Sequence, residues 1–311
     1  MKVLYVRSGN SGIDPVSTRQ GESLKKTGVD ICYYDITGKG LYGYLKNLSP
    51  LRKYTRDKGI DLIHAHYSLS GFIASISCSG KPVITSLMGS DVLETNPFVL
   101  TVIRFFARFI WDRTIVKTSG MQKKLDMKNT LVIPNGVDME LFFPLDKEES
   151  QRSLGWSLDS KHVLFCSDPQ RQEKNFALAE KAVAQVRGKI AGTSLTIHLL
   201  TGIRPDEIVR YYCAANFLLV TSRHEGSSNT VKEAMACNCP VVASDVGDIR
   251  QLLSGTEGCY VTTFDQDDVA VAILKVLNFG RRTDSRARIK HLDSDRIALQ
   301  ILEVYKGLLK T

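Results

Sequence analysis

Short apolar runs alternate with amphipathic helical stretches along almost the whole of this 311-residue chain. A strand, a helix and a second strand in this order form a parallel βαβ unit, so the alternation predicts parallel sheets covered by helices. The predicted strands are Val3–Val6, Asp30–Asp35, Leu62–Ala65, Pro82–Leu87, Thr114–Thr118, Leu131–Ile133, Val163–Cys166, Leu195–Leu200, Phe217–Val220, Val241–Ala243 and Tyr260–Val261. The predicted helices are Ser17–Lys26, Tyr42–Lys58, Leu69–Cys78, Phe98–Trp111, Gly120–Asp126, Ala177–Arg187, Asp206–Ala215, Thr230–Cys237, Asp248–Leu253 and Val269–Leu277.

The length of the chain suits two domains of ordinary size, and 43% apolar residues suffice for an ordered core. We predict two doubly wound, Rossmann-like α/β domains, one over residues 1–141 and one over residues 142–311, that face a cleft. In such sheets ligands bind outside the carboxyl ends of the strands. The amphipathic stretch Arg296–Leu309 predicts a final helix, which can pack back toward the N-terminal domain.

The segment from Phe217 to Ala243 contains a polar loop between an apolar run and a predicted helix. A helix N-terminus presents unpaired N–H groups and attracts phosphate. Glu225 precedes the helix and Glu233 lies inside it, roughly 10 Å away along the axis. Carboxylates accept hydrogen bonds from hydroxyl groups, so the spacing suits a nucleotide-diphosphate-sugar. The alternative is a capping box, Thr230-x-x-Glu233, that serves only the helix N-terminus.

This segment resembles the donor-binding segment of the retaining GT-B glycosyltransferases of family 4, whose signature is two glutamates separated by seven residues. Gly226 follows the first glutamate, and Pro240–Ala243 follows the helix, as in that family. The resemblance implies a GT-B fold and a metal-independent, retaining hexosyltransferase without a cofactor. It implies that Glu225 orients the sugar and Glu233 holds the ribose. The implied donor-binding loop consists of Gly226, Ser227, Ser228, Asn229 and Thr230.

Two basic residues follow the first predicted strand of the second half. The family carries Gly-Arg and then Lys-Gly here, and these cations clamp the diphosphate. Lys174 matches this pattern, whereas Asp168-Pro169 stands in place of Gly-Arg, so Arg171 would supply the guanidinium. The resemblance therefore implies that Lys174 and Arg171 are catalytic together with Glu225. Alternatively, both cations are ordinary solvated charges.

The first half supplies weaker candidates. The turn Arg7–Gly12 lacks the G-x-G-x-x-G spacing, which disfavours a dehydrogenase. A glycine-containing turn at this place faces the donor phosphates in the family, so Gly12 is a donor-binding candidate. His64 and His66 end a predicted strand and share one of its faces. We favour packing for His64 and retain His66 as a residue on the acceptor side.

The segment Met88-Gly89-Ser90-Asp91 resembles the His-Gly-Ser-Asp element of the family. The family histidine approaches the transferred sugar and the acceptor. Met88 replaces it, so no imidazole is expected there. A retaining transfer on one face of the sugar can proceed without a protein base, because the departing phosphate oxygen can take the acceptor proton. Gly89 and Asp91 remain acceptor-side candidates.

No metal is predicted. Asp265-Gln266-Asp267 is similar to the metal-binding Asp-x-Asp of the other glycosyltransferase fold, but it directly precedes a predicted helix. Acidic residues at that place cap the helix N-terminus. We saw no other cluster of histidine, cysteine and carboxylate with metal-ligand spacing.

The net charge of +8 is uneven, with +7 in residues 1–145 and +1 in residues 146–311. Such an excess attracts anionic membrane surfaces or polyanionic partners, and the charge alone does not distinguish them. The stretch Phe98–Arg113 also mixes aromatic residues with arginines, as interfacial helices do; its members are Phe105, Phe106, Phe109, Trp111, Arg104, Arg108 and Arg113. The alternative is a helix packed on the sheet. No apolar run reaches the eighteen residues that a membrane span needs, so we expect a cytoplasmic protein, or a peripheral one on the inner face of the membrane.

The resemblance covers nearly the whole chain and implies sugar transfer from a nucleotide-diphosphate-sugar to a glycan or lipid-linked acceptor, in cell-surface polysaccharide biosynthesis. No nucleic-acid partner is expected. Two alternatives stay open. One is a sugar-nucleotide epimerase on the same fold. The other is a degenerate nucleotide-sugar-binding subunit, which the departures at Met88 and Asp168-Pro169 would permit.

Overall fold

The computed structural model describes residues 1–10, 12, 14–127, 130–190 and 192–309. The chain divides into two compact units. The first unit contains Met1–Gly136 and the chain from Ser294 onward, and the second contains Val137–Asp293. The sequence prediction put the division after residue 141 and assigned the last helix to the second domain, with packing toward the first.

The first unit is built around a parallel sheet of six strands in the order β2-β1-β3-β4-β5-β6. The strands are β1 Lys2–Ser8, β2 Asp30–Ile36, β3 Leu62–His66, β4 Val83–Ser86, β5 Arg113–Val116 and β6 Leu131–Val132. The helices are α1 Pro15–Lys26, α2 Gly40–Leu45, α3 Leu48–Asp57, α4 Ser68–Ile76, α5 Ser90–Leu93, α6 Pro97–Phe109 and α7 Ser119–Leu125. The strand order changes direction between β1 and β3, as in doubly wound folds.

The second unit has a parallel sheet of five strands in the order β11-β10-β9-β7-β8. Its strands are β7 Lys161–Phe165, β8 Leu195–Leu199, β9 Phe217–Val220, β10 Val241–Ser244 and β11 Tyr260–Thr262. Its helices are α8 Lys147–Ser153, α9 Phe176–Arg187, α10 Pro205–Ala214, α11 Asn229–Ala236, α12 Ile249–Leu253, α13 Gln266–Phe279 and α14 Ser285–Arg288, with 3-10 turns at Gln172–Lys174 and Lys290–Leu292. The last helix, α15 Ser294–Leu309, belongs to the first unit.

All eleven predicted strands are present, but the single helix predicted over Tyr42–Lys58 is wrong. The structure ends α2 at Leu45 and starts α3 at Leu48. Pro50 has no N–H to donate to the carbonyl four residues earlier, so a continuous helix would lose a hydrogen bond there. The Asn47 side chain satisfies backbone carbonyl groups at the interruption, because its Nδ2 donates to Gly43 O at 2.7 Å and to Thr37 O at 3.0 Å.

Helix α15 completes one face of the first sheet. Its buried residues Ile297 and Ile301 join the core formed by the inward residues of β1 and by α1. Burying one such side chain fully contributes roughly 1.5–3 kcal/mol. Tyr305 is also buried, and its hydroxyl lies 2.5 Å from His64 Nδ1.

The two faces of the second sheet carry different helices. One core combines alternate residues of the strands with α9 and α13, for example Phe165, Leu178 and Val269. The other combines the intervening residues with α10 and α11, for example Tyr212 and Val231. None of the helices within the described ranges has both the length and the apolar character required to cross a bilayer.

Candidate active site

The central feature of the second unit is an ion pair at the carboxyl ends of β7 and β9. Lys174 Nζ lies 2.7 Å from Glu225 Oε1, and each side chain is 15% exposed. Lys174 ends the 3-10 turn after β7, and Glu225 lies in the loop after β9. The structure therefore brings together the two residues that the sequence placed at the reacting end of a donor.

Backbone contacts hold the two loops against each other. Thr221 Oγ1 donates to the carbonyls of Lys174 and Asn175 at 3.1 and 3.0 Å. The N–H of Arg223 donates to Glu173 O at 2.8 Å. These bonds fix the backbone on both sides of the ion pair, so the two charged side chains project from a preorganised support.

Helix α11 begins with its first turn free of a side-chain cap. Ser228 is the N-cap residue and its side chain makes no capping hydrogen bond. The N–H of Ser228 bonds the Asp248 carboxylate, whereas the N–H groups of the first turn of α11 receive no cap from the Ser228 side chain and can face an anion. The side chain of Asn229 adds an acceptor, since its Oδ1 is buried and has no hydrogen-bond partner among the described residues.

The capping-box alternative for Thr230 and Glu233 is wrong. Thr230 lies inside α11 and is not its N-cap. Glu233 Oε2 instead accepts a hydrogen bond from Tyr212 Oη of α10 at 3.1 Å. The two glutamates thus lie at different places on the second unit, with Glu225 beside Lys174 and Glu233 beside Tyr212.

A buried polar network supports the loop from below. Ser227 Oγ donates to Asp248 Oδ2 at 2.6 Å, and Lys232 Nζ donates to Ser227 Oγ. Lys232 is fully buried, and burial lowers its pKa to about 8 against the attraction of Asp248 and Glu233. Burial likewise raises the pKa of Asp248, although Lys232 opposes this.

Gly247 closes the same loop. Its φ is +60°, and an added Cβ would lie 2.6 Å from Glu225 O and 2.7 Å from Gly226 O. Only glycine permits this approach of one backbone to another. The chain before Asp248 therefore packs directly against the start of the candidate donor-binding loop.

Arg171 lies apart from the ion pair. Its guanidinium contacts Glu173 at 2.6 Å and its side chain is 56% exposed. Asp168, which stands in the place of a family glycine, accepts a hydrogen bond from the N–H of Gln170 at 2.9 Å. A catalytic role for Arg171 stays a prediction.

In the first unit, His64 and His66 lie side by side at the end of β3, with ring centroids 4.5 Å apart. His64 is a structural residue, because its nitrogens contact Tyr305 Oη and, at 2.8 Å, Ser86 Oγ. His66 is buried, and neither ring nitrogen has a hydrogen-bond partner among the described residues. Burial lowers the pKa of His66 well below its usual value, which favours a neutral imidazole.

Asp91 organises the loop around Met88. Its carboxylate accepts hydrogen bonds from the N–H groups of Ser68, Met88 and Gly89 at 3.0–3.1 Å. Burial raises the pKa of Asp91 to about 6, and these N–H groups oppose the rise. Gly89 has a φ of +134°. In this structure the Asp91 carboxylate thus holds its own loop.

Gly12 has a φ of +84°, and no atom lies within 4 Å of an added Cβ. Its neighbours Ser11 and Ile13 lie outside the described residues.

The predicted helix cap at Asp265 is confirmed, because its carboxylate accepts hydrogen bonds from the N–H groups of Asp267 and Asp268 at 2.9 and 3.0 Å. The described residues contain no group of three or more histidine, cysteine or acidic side chains placed to hold a metal ion.

Sequence reasoning missed Lys232, Asp248 and Tyr212. Lys232 adjoins Val231 in a helix whose buried residues include both. A lysine next to an apolar residue of a short buried helix is the signal that could have indicated a buried contact. Asp248 and Tyr212 gave no comparable signal, because their partners lie on other elements.

Comparisons with known proteins agree with this geometry. The family profile described as "Glycosyl transferases group 1" matches residues 160–278, and the profile described as "Glycosyl transferase 4-like" matches residues 6–115. The protein of Bacillus subtilis named as teichuronic acid biosynthesis glycosyltransferase TuaC is 30% identical over 242 residues, which span 71% of this chain but only 62% of that relative. The D-inositol 3-phosphate glycosyltransferase of Geodermatophilus obscurus is 27% identical over 268 residues, spanning 70% of this chain and 59% of the relative.

Solved structures show the same fold. Sucrose-phosphate synthase from Thermosynechococcus elongatus superimposes with a TM-score of 0.82 at 19% identity, covering 100% of this chain and 99% of that one. Anabaena HepE in complex with UDP-glucose has a TM-score of 0.76 at 17% identity, covering 99% and 100%. Together with the sequence profiles, these matches show that the chain is a GT-B protein and belongs to the group 1 glycosyltransferases.

Proposed function

We propose that this protein is a retaining hexosyltransferase that moves a sugar from a nucleotide-diphosphate-sugar to a glycan or lipid-linked acceptor in cell-surface polysaccharide biosynthesis. The observation that carries the proposal is the Lys174–Glu225 pair beside the uncapped start of α11. A cation, a carboxylate and free N–H groups at one place match the charges of a sugar diphosphate. The solved complexes of HepE with UDP and with UDP-glucose support a nucleotide-sugar donor.

Each group has a distinct task in the proposed transfer. The diphosphate lies on the N–H groups at the start of α11, where the helix dipole favours negative charge. Lys174 exchanges its contact with Glu225 for a phosphate oxygen and neutralises the charge that grows as the bond to the sugar breaks. Glu225 then faces the positive charge that develops at the anomeric carbon. Glu233, held by Tyr212, accepts hydrogen bonds from the ribose.

The acceptor proton leaves without a protein base in this proposal. Met88 has no group that can take a proton, and the nearby Asp91 carboxylate is engaged by three backbone N–H groups. The departing phosphate oxygen takes the proton from the acceptor hydroxyl on the same face of the sugar, so the anomeric configuration is kept. We propose no metal, because the charges of Lys174 and α11 already face the leaving group.

The first unit supplies a surface that fits the lipid environment of a lipid-linked acceptor. Helix α6 buries Leu100 and Ile103 on one side, while Phe98, Phe105 and Phe109 are 77%, 53% and 66% exposed. Exposed aromatic residues next to arginines are typical of helices that lie in a bilayer interface. We propose that this face rests on an anionic membrane. The sequence pattern also placed Trp111 and Phe106 on this face, but both pack with Phe72 inside the unit.

The test of the proposed function is nucleotide release from UDP-sugars and GDP-sugars with and without added acceptor lipids and glycans. Glu225→Gln should lower turnover at least about 100-fold, the scale of one lost electrostatic contact to a transition state. Affinity for the free nucleoside diphosphate should change only a few-fold. Glu180→Gln, an exposed glutamate on α9, is the matched control.

Three results would contradict the proposal. Unchanged turnover in Glu225→Gln would remove this residue from the reaction. Conversion of the donor sugar without any acceptor would indicate an epimerase. Binding of nucleotide without release in every acceptor mixture would indicate a non-catalytic subunit.

A further inference from the structure

A cavity lies next to the two loops that carry the ion pair. It has a volume of about 670 Å³, a size typical of sites for small molecules. Its walls come from the start of α9, the loop after β9 and the start of α13. The lining includes Lys181, Arg223, His224 and Phe264.

The position of this cavity follows from the chain itself. Arg223 and His224 immediately precede Glu225, and Asn175, which also lines the cavity, immediately follows Lys174. Helices α9 and α13 cover one face of the sheet, whereas Glu233 and Tyr212 belong to the helices on the other face. If the donor extends from Glu233 to Glu225, its sugar therefore lies next to this cavity.

The charge of the cavity is basic and uncommitted. Lys181, Arg223 and His224 are exposed, and none of them forms an ion pair or side-chain hydrogen bond with another described residue. The one acidic residue of the lining, Asp265, is occupied as the cap of α13. Two permanent cations and a histidine thus face the cavity against the single carboxylate of Asp265, so positive charge is in excess.

The cavity also contains an aromatic surface. The Phe264 side chain is 50% exposed at its rim, and the backbone of Arg223 is fixed by its bond to Glu173. An aromatic ring packs against the C–H face of a sugar, and an arginine binds a carboxylate or a phosphate through two parallel hydrogen bonds. This combination fits a sugar that bears an anionic substituent, and it fits a neutral sugar poorly.

We propose that this cavity binds an acidic sugar of the acceptor, carrying either a carboxylate or a phosphate, with Arg223 and Lys181 on the anion and Phe264 against the ring. The proposal rests on the proposed function, since it places the acceptor next to the sugar end of the donor. It makes Arg223 and Lys181 specificity residues that act in acceptor binding and leave the nucleotide contacts unchanged.

The test is ligand-observed NMR on the whole protein saturated with whichever of uridine diphosphate and guanosine diphosphate it binds, using glucuronate, glucose 6-phosphate, glucose and inorganic phosphate as separate probes. At least one acidic sugar should bind about tenfold or more tightly than glucose, and the preferred one identifies the carboxylate or the phosphate. Arg223→Gln and Lys181→Gln should each weaken that binding about tenfold, the scale of one charge-assisted hydrogen bond. Lys275→Gln, an exposed lysine elsewhere on α13, is the control and should have no effect.

The outcomes separate this proposal from the proposed function. Glucose binding as tightly as both acidic sugars, or unchanged binding in Arg223→Gln, would overturn it. Inorganic phosphate binding as tightly as glucose 6-phosphate, with Phe264→Ala having no effect, would overturn the sugar contact. Titrations with uridine diphosphate and with guanosine diphosphate, without any sugar, test the donor site: wild-type protein that binds one of them but no acidic sugar refutes the cavity only, whereas protein that binds neither refutes the donor assignment.

Discussion

Replacing Lys232 by methionine is expected to raise stability and lower activity. The Lys232 side chain is fully buried beneath the candidate donor-binding loop, and its ammonium group contacts Ser227. Burial lowers the pKa of Lys232 from 10.5 to about 8, although Asp248 and Glu233 favour the charged form. Two carboxylates therefore do not offset the hydration that the ammonium loses.

The size of the effect follows from that pKa. A pKa difference of one corresponds to about 1.36 kcal/mol, so burial of the charged lysine costs about 3 kcal/mol at neutral pH. Because the folded pKa lies below the unfolded one, the unfolded chain binds more protons between pH 8 and 10.5. Lys232 therefore has no electrostatic effect on stability above pH 10.5. As the pH falls from 10.5 through 8 the folded protein loses stability relative to the unfolded chain, and the full cost is present below pH 8. The free energy of unfolding of Lys232→Met, minus that of wild type, should fall by up to about 3 kcal/mol from pH 7 to pH 10.

The assay is urea unfolding followed by the fluorescence of Trp156, which stacks on His198 in the second unit. A Trp111→Phe background removes the signal of the first unit, and the exposed Lys275→Met is the matched control. Nucleotide release at pH 7 should fall about tenfold, because Ser227 loses a contact and its loop is less well oriented. An equal difference in unfolding free energy at pH 7 and pH 10 would refute the reasoning.

Three further results are expected. Lys174→Ala should lower turnover far more than donor affinity, because a cation on the leaving group acts mainly in the transition state; equal losses in steady-state turnover and in the donor dissociation constant would limit Lys174 to binding. Activity should survive excess chelator, since the Asp265 carboxylate caps α13; a loss that magnesium or manganese reverses would contradict this. The double change Phe105→Glu and Phe109→Glu should abolish co-sedimentation with anionic vesicles at low salt, while Leu299→Glu, equally exposed on α15, should not; recovery of all three proteins in the supernatant would leave α6 an ordinary surface helix.

The sheets were predictable because most strands contain a short apolar run, such as Phe217–Val220 or Val241–Ala243, which is typical of parallel strands buried on both faces. Predicted helix boundaries were wrong where one or two side chains determine the break. Asn47 and Pro50 split a helix whose apolar spacing reads as continuous. The α15 sequence predicted the helix, whereas its place on the first sheet depends on partners such as His64, which lie far away along the chain.

The candidate site was predictable to the extent that its residues lie in motifs that resemble those of the family. The resemblance around Glu225 and the match at Lys174, 51 residues earlier, led to a pair that the structure places 2.7 Å apart. The sequence could not show that Arg171 contacts Glu173 and not the Lys174–Glu225 pair, because a flexible, exposed arginine can adopt either arrangement. The support of the loop by Asp248 was also hidden, since it depends on a close backbone approach at Gly247.

Helix α15 makes the order of synthesis matter for the first unit. Its residues complete the sheet face formed by Val3, Tyr5 and Ile31, yet they are synthesised only after the whole of the second unit. The second unit is continuous in the chain, whereas the first must wait for it to be translated, roughly 10 to 30 seconds at ordinary rates. During this time one apolar face of a six-stranded sheet lacks its last helix. A nascent chain of this protein is therefore expected to need chaperone protection at its N-terminal half, and a truncation before Ser294 would leave that half permanently unfinished while the second unit folds.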